Sequence, residues 1–157
     1  PIDPFYLSWV SQQRGYDPKF IRLAGELNSS MPKWVVKKML RNIKIKNPSI
    51  LLLGVSYKKN VDDMRESPSV KIIEILKAYE ALIDYHDPYV LTFPKMRKYN
   101  FELNSIKIKP SILSSYDAVV LCTDHDNVDY KMILKNSALI IDTRGKYRKK
   151  FANVVKA

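Results

Sequence analysis

Residues 54–69 carry the side chains most able to bind an anionic ligand. They follow the apolar run 50–53, which is typical of a buried strand, and they end on Ser67-Pro68, an N-cap residue followed by proline at the first helical position. Ligands of open α/β sheets bind beyond the carboxyl ends of the strands, where a helix N-terminus favours anions. Between strand and helix lie an aromatic residue, three cations and several carboxylates, among them Tyr57, Lys58, Lys59, Arg65, Asp62 and Asp63. The segment predicts a phosphate site, although a solvated loop whose charges only keep it soluble explains the composition equally well.

Polar residues also follow the other predicted strands, at residues 86–87, 123–126 and 142–145. Because the carboxyl ends of parallel strands lie along one edge of a sheet, we expect these residues near Tyr57 and Lys58. Arg144 is the most informative of them. Its guanidinium could bind a phosphate through two parallel N–H groups, or donate to sugar hydroxyls, in a way that lysine cannot.

Other groups at this edge are predicted to be structural. Asp87 and Asp142 are more simply turn or cap acceptors than catalytic groups. A metal site around His125 is disfavoured, because ligands within three consecutive residues cannot all face one ion. Cys122, inside a predicted buried strand, is expected to be inert core. We therefore predict no metal site and no cysteine nucleophile.

The elements that position these residues fall into two parts. Residues 4 to about 46 are predicted to be helical, with a turn at residues 15–18 and a kink or break near residues 28–31, caused by Pro32. Apolar residues such as Leu23 and Leu27 recur at helical spacing with little local core to cover them. A partner helix from a second subunit is the favoured cover, and a further domain is the alternative.

From residue 48 onward, strands and helices alternate. Strands are predicted at residues 50–55, 82–85, 106–108, 118–123 and 138–142, and helices at 69–81, 112–116 and 130–135, with a helical turn at 95–99. Continuous apolar runs between amphipathic helices predict an α/β fold with a Rossmann-like, doubly wound parallel sheet. Residues 1–47 would then be a helical region and residues 48–157 the sheet domain. Gly54 stands without the further glycines of a dinucleotide fingerprint, so side chains would have to hold the phosphates.

Charge and composition narrow the partners. A net charge of +11 suits nucleic acid, an anionic membrane or phosphorylated small molecules. The basic residues are spread along the chain, with one dense cluster at residues 146–150, so nucleic-acid binding is disfavoured as the main activity. No apolar run reaches the roughly 18 residues of a membrane span. One cysteine suits a reducing compartment, and we expect a cytoplasmic protein.

Several stretches resemble the UDP-glucose/GDP-mannose dehydrogenase family, the nucleotide-sugar 6-dehydrogenases. The stretches are residues 1–7, 24–28 with Met31-Pro32, 54–69 and 142–148. Residues 93–97, 101–103 and 123–126 look closest to the UDP-N-acetylglucosamine 6-dehydrogenase branch. The resemblance covers essentially the whole chain.

The resemblance implies an enzyme with an NAD-binding domain, a central helical dimerisation region and a C-terminal UDP-sugar domain. The family oxidises the C6 alcohol of the sugar to a carboxylate in two hydride transfers to NAD, through a cysteine thioester. Pro1-Ile2-Asp3 matches the end of the family's Cys-X-Pro-X-Asp motif. We therefore expect a C-terminal fragment that lacks the NAD domain and the catalytic cysteine and is inactive alone.

The family's functional residues map onto five positions. Asp3 matches the aspartate that orients water for thioester hydrolysis; an N-cap role is compatible with the same position. Tyr57 and Lys58 match an aromatic-lysine pair that contacts the nucleotide-sugar, and Arg144 matches a second substrate contact. Arg65 matches an arginine that reaches the NAD side.

Two other classes of function stay open. One is a stand-alone nucleotide-binding or regulatory module with a helical dimerisation arm. The other is a basic nucleic-acid binder, which would show a steep salt dependence.

Overall fold

The computed structural model describes residues 3–157. Helix α1 spans Asp3–Gln13 and α2 spans Lys19–Leu40, and the sheet domain follows them. Its elements, in chain order, are β1 (Ser49–Leu53), α3 (Pro68–Ala78), β2 (Leu82–His86), α4 (Pro110–Leu113), β3 (Ala118–Leu121), α5 (Tyr130–Asn136), β4 (Ile140–Asp142) and β5 (Val154–Lys156). None of the helices in the described part of the chain is long and apolar enough to cross a membrane.

The five strands form one parallel sheet in the order β2-β1-β3-β4-β5. Leu53, at the end of β1, pairs with His86 of β2 and with Leu121 of β3, and Leu121 pairs with Asp142 of β4. The last residues of four strands are therefore in register along one edge, which we call the carboxyl rim. The predicted α/β class and parallel sheet are confirmed.

Alternation along β1 gives the sheet two covered faces. Ile50 and Leu52 pack into a core with α2 and α3, whereas Leu51 and Leu53 pack into a second core with α4 and α5. All four side chains are almost fully buried. Burial on both faces explains why β1 is a continuous apolar run.

Helix α2 lies partly in the core and partly outside it. Its C-terminal half contributes Val35, Val36 and Met39 to the core shared with the sheet. Its N-terminal half leaves Leu23 and Leu27 52% and 59% exposed. The helix continues without interruption past Pro32, so the predicted break does not occur.

Helix α1 packs against α2 at a glycine. A Cβ on Gly25 would lie 2.3 Å from the ring of Phe5. The absence of a side chain at this position lets the two helices approach closely.

Two smaller predictions were wrong, and one strand was missed. Residues 106–108 form no strand, because the pairing with β2 is limited to one bridge between Tyr85 and Ser105. Residues 95–99 contain no helix. The edge strand β5 was not predicted, because only three residues form it after an irregular basic loop.

Candidate functional site

The carboxyl ends of β1 and β3 form the topological switch point of the sheet. From β1 the chain moves outward to β2 and then crosses back to β3 on the other side of β1. Ligands of doubly wound sheets bind at this point. Two loops border this point, the β1–α3 loop (residues 54–67) and the β3–α5 loop (residues 122–129), and they pack directly on one another. A Cβ on Gly54, which has a φ of +76°, would lie 2.3 Å from the carbonyl oxygen of Thr123.

Asp87, which follows β2 directly, holds the β1–α3 loop in place. One oxygen of its buried carboxylate accepts hydrogen bonds from the backbone N–H groups of Val55 (2.7 Å) and Ser56 (3.1 Å). The other accepts from the N–H groups of Tyr89 (2.8 Å) and Val90 (3.0 Å). Burial raises the pKa of this carboxyl, but the hydrogen bonds, led by one from a histidine side chain, hold the pKa of Asp87 well below its ordinary value. Asp87 is thus the predicted turn acceptor, and it also fixes the β1–α3 loop.

His125 fills the gap between the two loops. Its ring is fully buried, and Nε2 lies 3.1 Å from the Asp87 carboxylate and 3.0 Å from the hydroxyl of Ser56. Its Nδ1 accepts a hydrogen bond from the backbone N–H of Asn60 at 2.9 Å. The ring of Tyr89 packs against it, with centroids 5.0 Å apart. Because protein atoms occupy this gap, a ligand must bind over the rim and not between the loops.

The tip of the β1–α3 loop is also fastened by Asp126. The Asn60 side-chain amide donates to this carboxylate (2.6 Å) and accepts from the Asp126 N–H (3.0 Å). Lys59 donates to the same carboxylate at 2.9 Å. Three hydrogen bonds therefore join the two loops at their exposed edge.

Tyr57 and Lys58 lie between these fastened residues. Tyr57 is half-buried, and its backbone N–H donates to the carbonyl of Asp63 at 2.7 Å. Lys58 is exposed, with its ammonium nitrogen 5.4 Å from the centre of the Tyr57 ring. Among residues 3–157 Lys58 forms no ion pair, in contrast to its neighbour Lys59. Lys58 thus presents an uncompensated charge beside an aromatic face.

Arg144 lies at the same rim, after β4. Its Nε donates to the carbonyl of Cys122, and its backbone N–H donates to the buried carboxylate of Asp142 (3.0 Å), which also accepts from the Tyr147 N–H (2.9 Å). The predicted acceptor role of Asp142 is confirmed. The rest of the exposed guanidinium borders a cleft of about 270 Å³ between the rim and α2. The cleft is also lined by Asn28, Met31, Pro32, Pro68, Ser69 and Thr143.

Lys58 and Arg144 lie on opposite sides of β3. Two strand spacings separate β1 from β4, so the backbones of the two loops are roughly 10 Å apart. No hydrogen bond joins the two side chains in the described part of the chain. An extended anionic ligand lying across β1, β3 and β4 could contact both cations.

Comparison with known proteins identifies the sheet domain. The sequence profile described as "UDP-glucose/GDP-mannose dehydrogenase family, UDP binding domain" matches residues 51–149. The chain belongs to this family. The matched residues include Tyr57, Lys58 and Arg144.

Relatives within the UDP-glucose/GDP-mannose dehydrogenase family carry several substrate names. The chain is 36% identical over 157 residues to a UDP-N-acetyl-D-mannosamine dehydrogenase of Methanococcus vannielii, covering 91% of this chain and 33% of the relative. It is 29% identical over 129 residues to a UDP-N-acetyl-D-glucosamine 6-dehydrogenase of Salmonella typhi, covering 79% of this chain and 29% of the relative. The chain thus spans about a third of the length of these relatives.

Solved structures of the family share the fold. The UDP-D-ManNAc dehydrogenase of Pyrococcus horikoshii superposes with a TM-score of 0.71 at 25% identity, over 93% of this chain and 34% of that one. A ternary complex of GDP-mannose dehydrogenase from Pseudomonas aeruginosa gives a TM-score of 0.73 at 17% identity, over 99% of this chain and 38% of that one. At 17% identity, the similarity to GDP-mannose dehydrogenase shows a shared fold.

The remaining predicted site residues are Arg65 and Asp3. Arg65 is exposed and forms a forked ion pair with Asp63, with N···O distances of 3.0 and 2.8 Å. The hydrogen bonds from Arg65 lower the pKa of Asp63 to about 2. Asp3 is exposed in the first turn of α1. Within residues 3–157 no hydrogen bond joins Asp3 to Tyr57, Lys58 or Arg144, and Pro1-Ile2 of the family motif lie outside the described residues.

The residues of this chain do not form a dinucleotide cradle. Gly54 is followed by no further glycine before Gly145. The missing Cβ of Gly54 makes room for Thr123 and not for a pyrophosphate. The N-terminus of α3 is already capped, because Ser67 accepts from the Ser69 N–H. NAD therefore does not fit this sheet in the usual way.

Neither Cys122 nor Ser56 is an available nucleophile. Burial raises the pKa of the Cys122 thiol to about 12, which disfavours the reactive thiolate. The hydroxyl of Ser56 is buried within the Asp87 network. Neither residue is therefore placed to form a covalent intermediate.

Sequence reasoning missed the role of His125 and Asn60. Both were visible as polar residues after β1 and β3, but their spacing of 65 residues gives no sign of a contact. It also missed the contribution of Asn28 to the cleft beside Arg144, because residues on α2 were assigned to helix packing.

Proposed function

We propose that this chain forms the UDP-sugar-binding part of an NAD-dependent nucleotide-sugar 6-dehydrogenase. The family match over residues 51–149 carries the proposal. Lys58 and Arg144 bind the diphosphate from either side of β3, and the half-buried ring of Tyr57 offers a stacking surface for the uracil. Charged side chains replace the backbone N–H groups that a glycine-rich turn would supply.

The chemical step depends on groups outside residues 3–157. The NAD domain and the catalytic cysteine would belong to a longer protein, in agreement with the one-third coverage of the relatives. Asp3, in the first turn of α1, orients water for hydrolysis of the thioester. Arg65 contacts NAD held by the other domain, after exchanging its Asp63 partner for the cofactor's phosphate.

The substrate we propose is a UDP-N-acetylhexosamine, with UDP-N-acetylglucosamine as the first choice. The resemblance of residues 123–126 and a relative named for that sugar support it, and relatives named for UDP-N-acetyl-D-mannosamine make the epimer the direct competitor. Full-length protein should produce NADH with one of these two sugars and not with UDP-glucose. A preference for UDP-glucose in that panel would contradict the choice. The uronic acid product suits polysaccharide biosynthesis in the cytoplasm.

The helical residues 1–47 are proposed to form a dimerisation region and residues 48–157 the UDP-sugar domain. The N-terminal half of α2 exposes a row of apolar side chains that includes Phe20, Leu23 and Leu27. A homodimer would cover this row and leave the carboxyl rim open.

Binding of UDP by the 157-residue chain tests the proposal. We expect calorimetric titration to give UDP-selective binding, weakened about 10- to 100-fold by Arg144→Ala or Lys58→Ala, because each loses a charge-assisted hydrogen bond. Lys135→Ala is the matched control, since Lys135 lies in the last turn of α5, at the opposite edge of the sheet. Stronger binding to a DNA oligomer than to UDP, falling steeply with salt, would replace this function with nucleic-acid binding.

A further inference from the structure

Residues on both sides of the Tyr57-Lys58 pair are held by hydrogen bonds to neighbouring loops. On one side, the Ser56 carbonyl accepts from the hydroxyl of Thr123 at 2.7 Å, and the Ser56 N–H donates to Asp87. On the other side, Asn60 is held by His125. The directions of the Tyr57 and Lys58 side chains, which we propose contact the ligand, therefore depend on the hydrogen bonds that hold Ser56 and Asn60.

Asn60 needs such an anchor because of its backbone. Its φ is +63°, in the left-handed region that non-glycine residues rarely adopt. Such a conformation persists when surrounding contacts hold it. The N–H of Asn60 meets Nδ1 of His125, and its side chain meets Asp126.

The hydrogen bonds of His125 define its tautomer. Because Nδ1 accepts from a backbone N–H, the ring proton lies on Nε2, where it faces the Asp87 carboxylate at 3.1 Å. Both ring nitrogens are thus occupied by protein groups, and the ring is fully buried. His125 connects the end of β2 to the tip of the β1–α3 loop and does not face a ligand.

We propose that His125 is a positioning residue of the UDP site, which acts by holding Asn60 so that Tyr57 and Lys58 point over the carboxyl rim. The inference rests on the proposed function of that rim. It adds a residue that touches no ligand atom and yet sets the affinity for the diphosphate.

The test compares two substitutions of His125 in the 157-residue chain. Glutamine can place a donor where Nε2 lies and keep the contact with Asp87, but it offers no acceptor to Asn60. Asparagine places an acceptor where Nδ1 lies and loses the donor to Asp87. We expect H125Q to weaken UDP binding about fivefold to tenfold, the cost of one hydrogen bond, and H125N to bind UDP more tightly than H125Q.

Two further measurements separate positioning from a general loss of structure. Amide exchange at Asn60 should accelerate in H125Q while β1 keeps its protection. In a K58A background the effect of H125Q on UDP affinity should shrink, because the two residues act through one loop. His86→Gln is the matched control, since His86 is half-buried, contacts the Ile106 carbonyl at 2.8 Å and should leave UDP affinity unchanged.

The outcomes distinguish this inference from the proposed function. If wild-type chain binds UDP and H125Q binds it equally well, the positioning role is refuted and the UDP site stands. If the wild-type chain binds no UDP, both are refuted. If H125Q fails to fold, amide exchange in the wild-type chain decides, because an Asn60 N–H that His125 holds should be protected. An Asn60 N–H that exchanges as fast as a free, exposed amide overturns the proposal.

Discussion

Replacing Asp87 by asparagine should remove a large part of the stability of this chain. The carboxylate accepts hydrogen bonds on both oxygens, and an amide keeps only one acceptor oxygen. Of the two orientations of the asparagine amide, the one that loses fewer hydrogen bonds places the NH2 group against the N–H groups of Tyr89 and Val90. A buried donor without a partner costs about 1–3 kcal/mol, and the four hydrogen bonds to the other oxygen lose the benefit of a charged acceptor.

We therefore expect Asp87→Asn to lower the free energy of unfolding by about 3–5 kcal/mol, against a total of about 5–15 kcal/mol for an ordinary domain. Urea denaturation followed by circular dichroism measures this difference. Asp84→Asn is the control, because this half-buried carboxylate accepts one side-chain hydrogen bond, from Tyr116 at 2.7 Å, and should cost about 1 kcal/mol. Equal effects of the two substitutions would refute the central role of Asp87.

The same carboxylate predicts a pH dependence with a definite sign. Its pKa is lower in the folded chain than in the unfolded chain, so its contribution is present above pH of about 4 and is lost as pH falls below that value. The stability difference between the wild-type chain and Asp87→Asn should therefore narrow on acidification. A difference that grows between pH 5 and pH 3 would contradict this reasoning.

Three further predictions concern glycines, the cysteine and the helical surface. Gly54→Ala should lower the free energy of unfolding by more than about 2 kcal/mol in urea denaturation, because it combines a positive φ with a backbone clash. Gly145→Ala, with a φ of +68° and open space around it, should lower it by about 1 kcal/mol. Equal losses would argue against the clash. Cys122 should resist iodoacetamide at pH 8 in the folded chain and react in urea, since burial raises its thiol pKa to about 12; rapid alkylation of folded protein would disprove this protection. Aspartate at both Leu23 and Leu27 should shift the proposed dimer to monomer in sedimentation velocity; a persistent dimer would place the interface elsewhere.

The parallel sheet could be predicted because its strands carry strong local signals. Residues 50–53 and 118–121 are continuous apolar runs, and both are buried on two faces. Ser67-Pro68 marked the start of α3 correctly. Short edge elements gave no such signal, since β5 is half exposed and three residues long.

The predicted phosphate site rested on the order of strands and helices along the chain. In a parallel sheet this order brings the carboxyl ends of the strands to one edge, independently of the side-chain contacts there. That argument placed Lys58 and Arg144 on the same rim. It could not find the contact of His125 with Asn60, because a histidine between two aspartates has the composition of an exposed loop and becomes buried only when the two loops meet. Nor could it show that α2 continues past Pro32, where tertiary packing of Pro32 and Val35 outweighs one lost hydrogen bond.

Helix α2 is 22 residues long, which corresponds to a rod of about 33 Å. One end is embedded beneath the sheet through Val36 and Met39, the other carries the exposed apolar row, and Asn28 and Met31 border the cleft between them. We expect that a tilt of α2 imposed at its outer end would change the width of the cleft beside Arg144, because Asn28 and Met31 line that cleft. A protein surface that binds the outer end would therefore alter the space available to a ligand beside the guanidinium that we assign to the substrate.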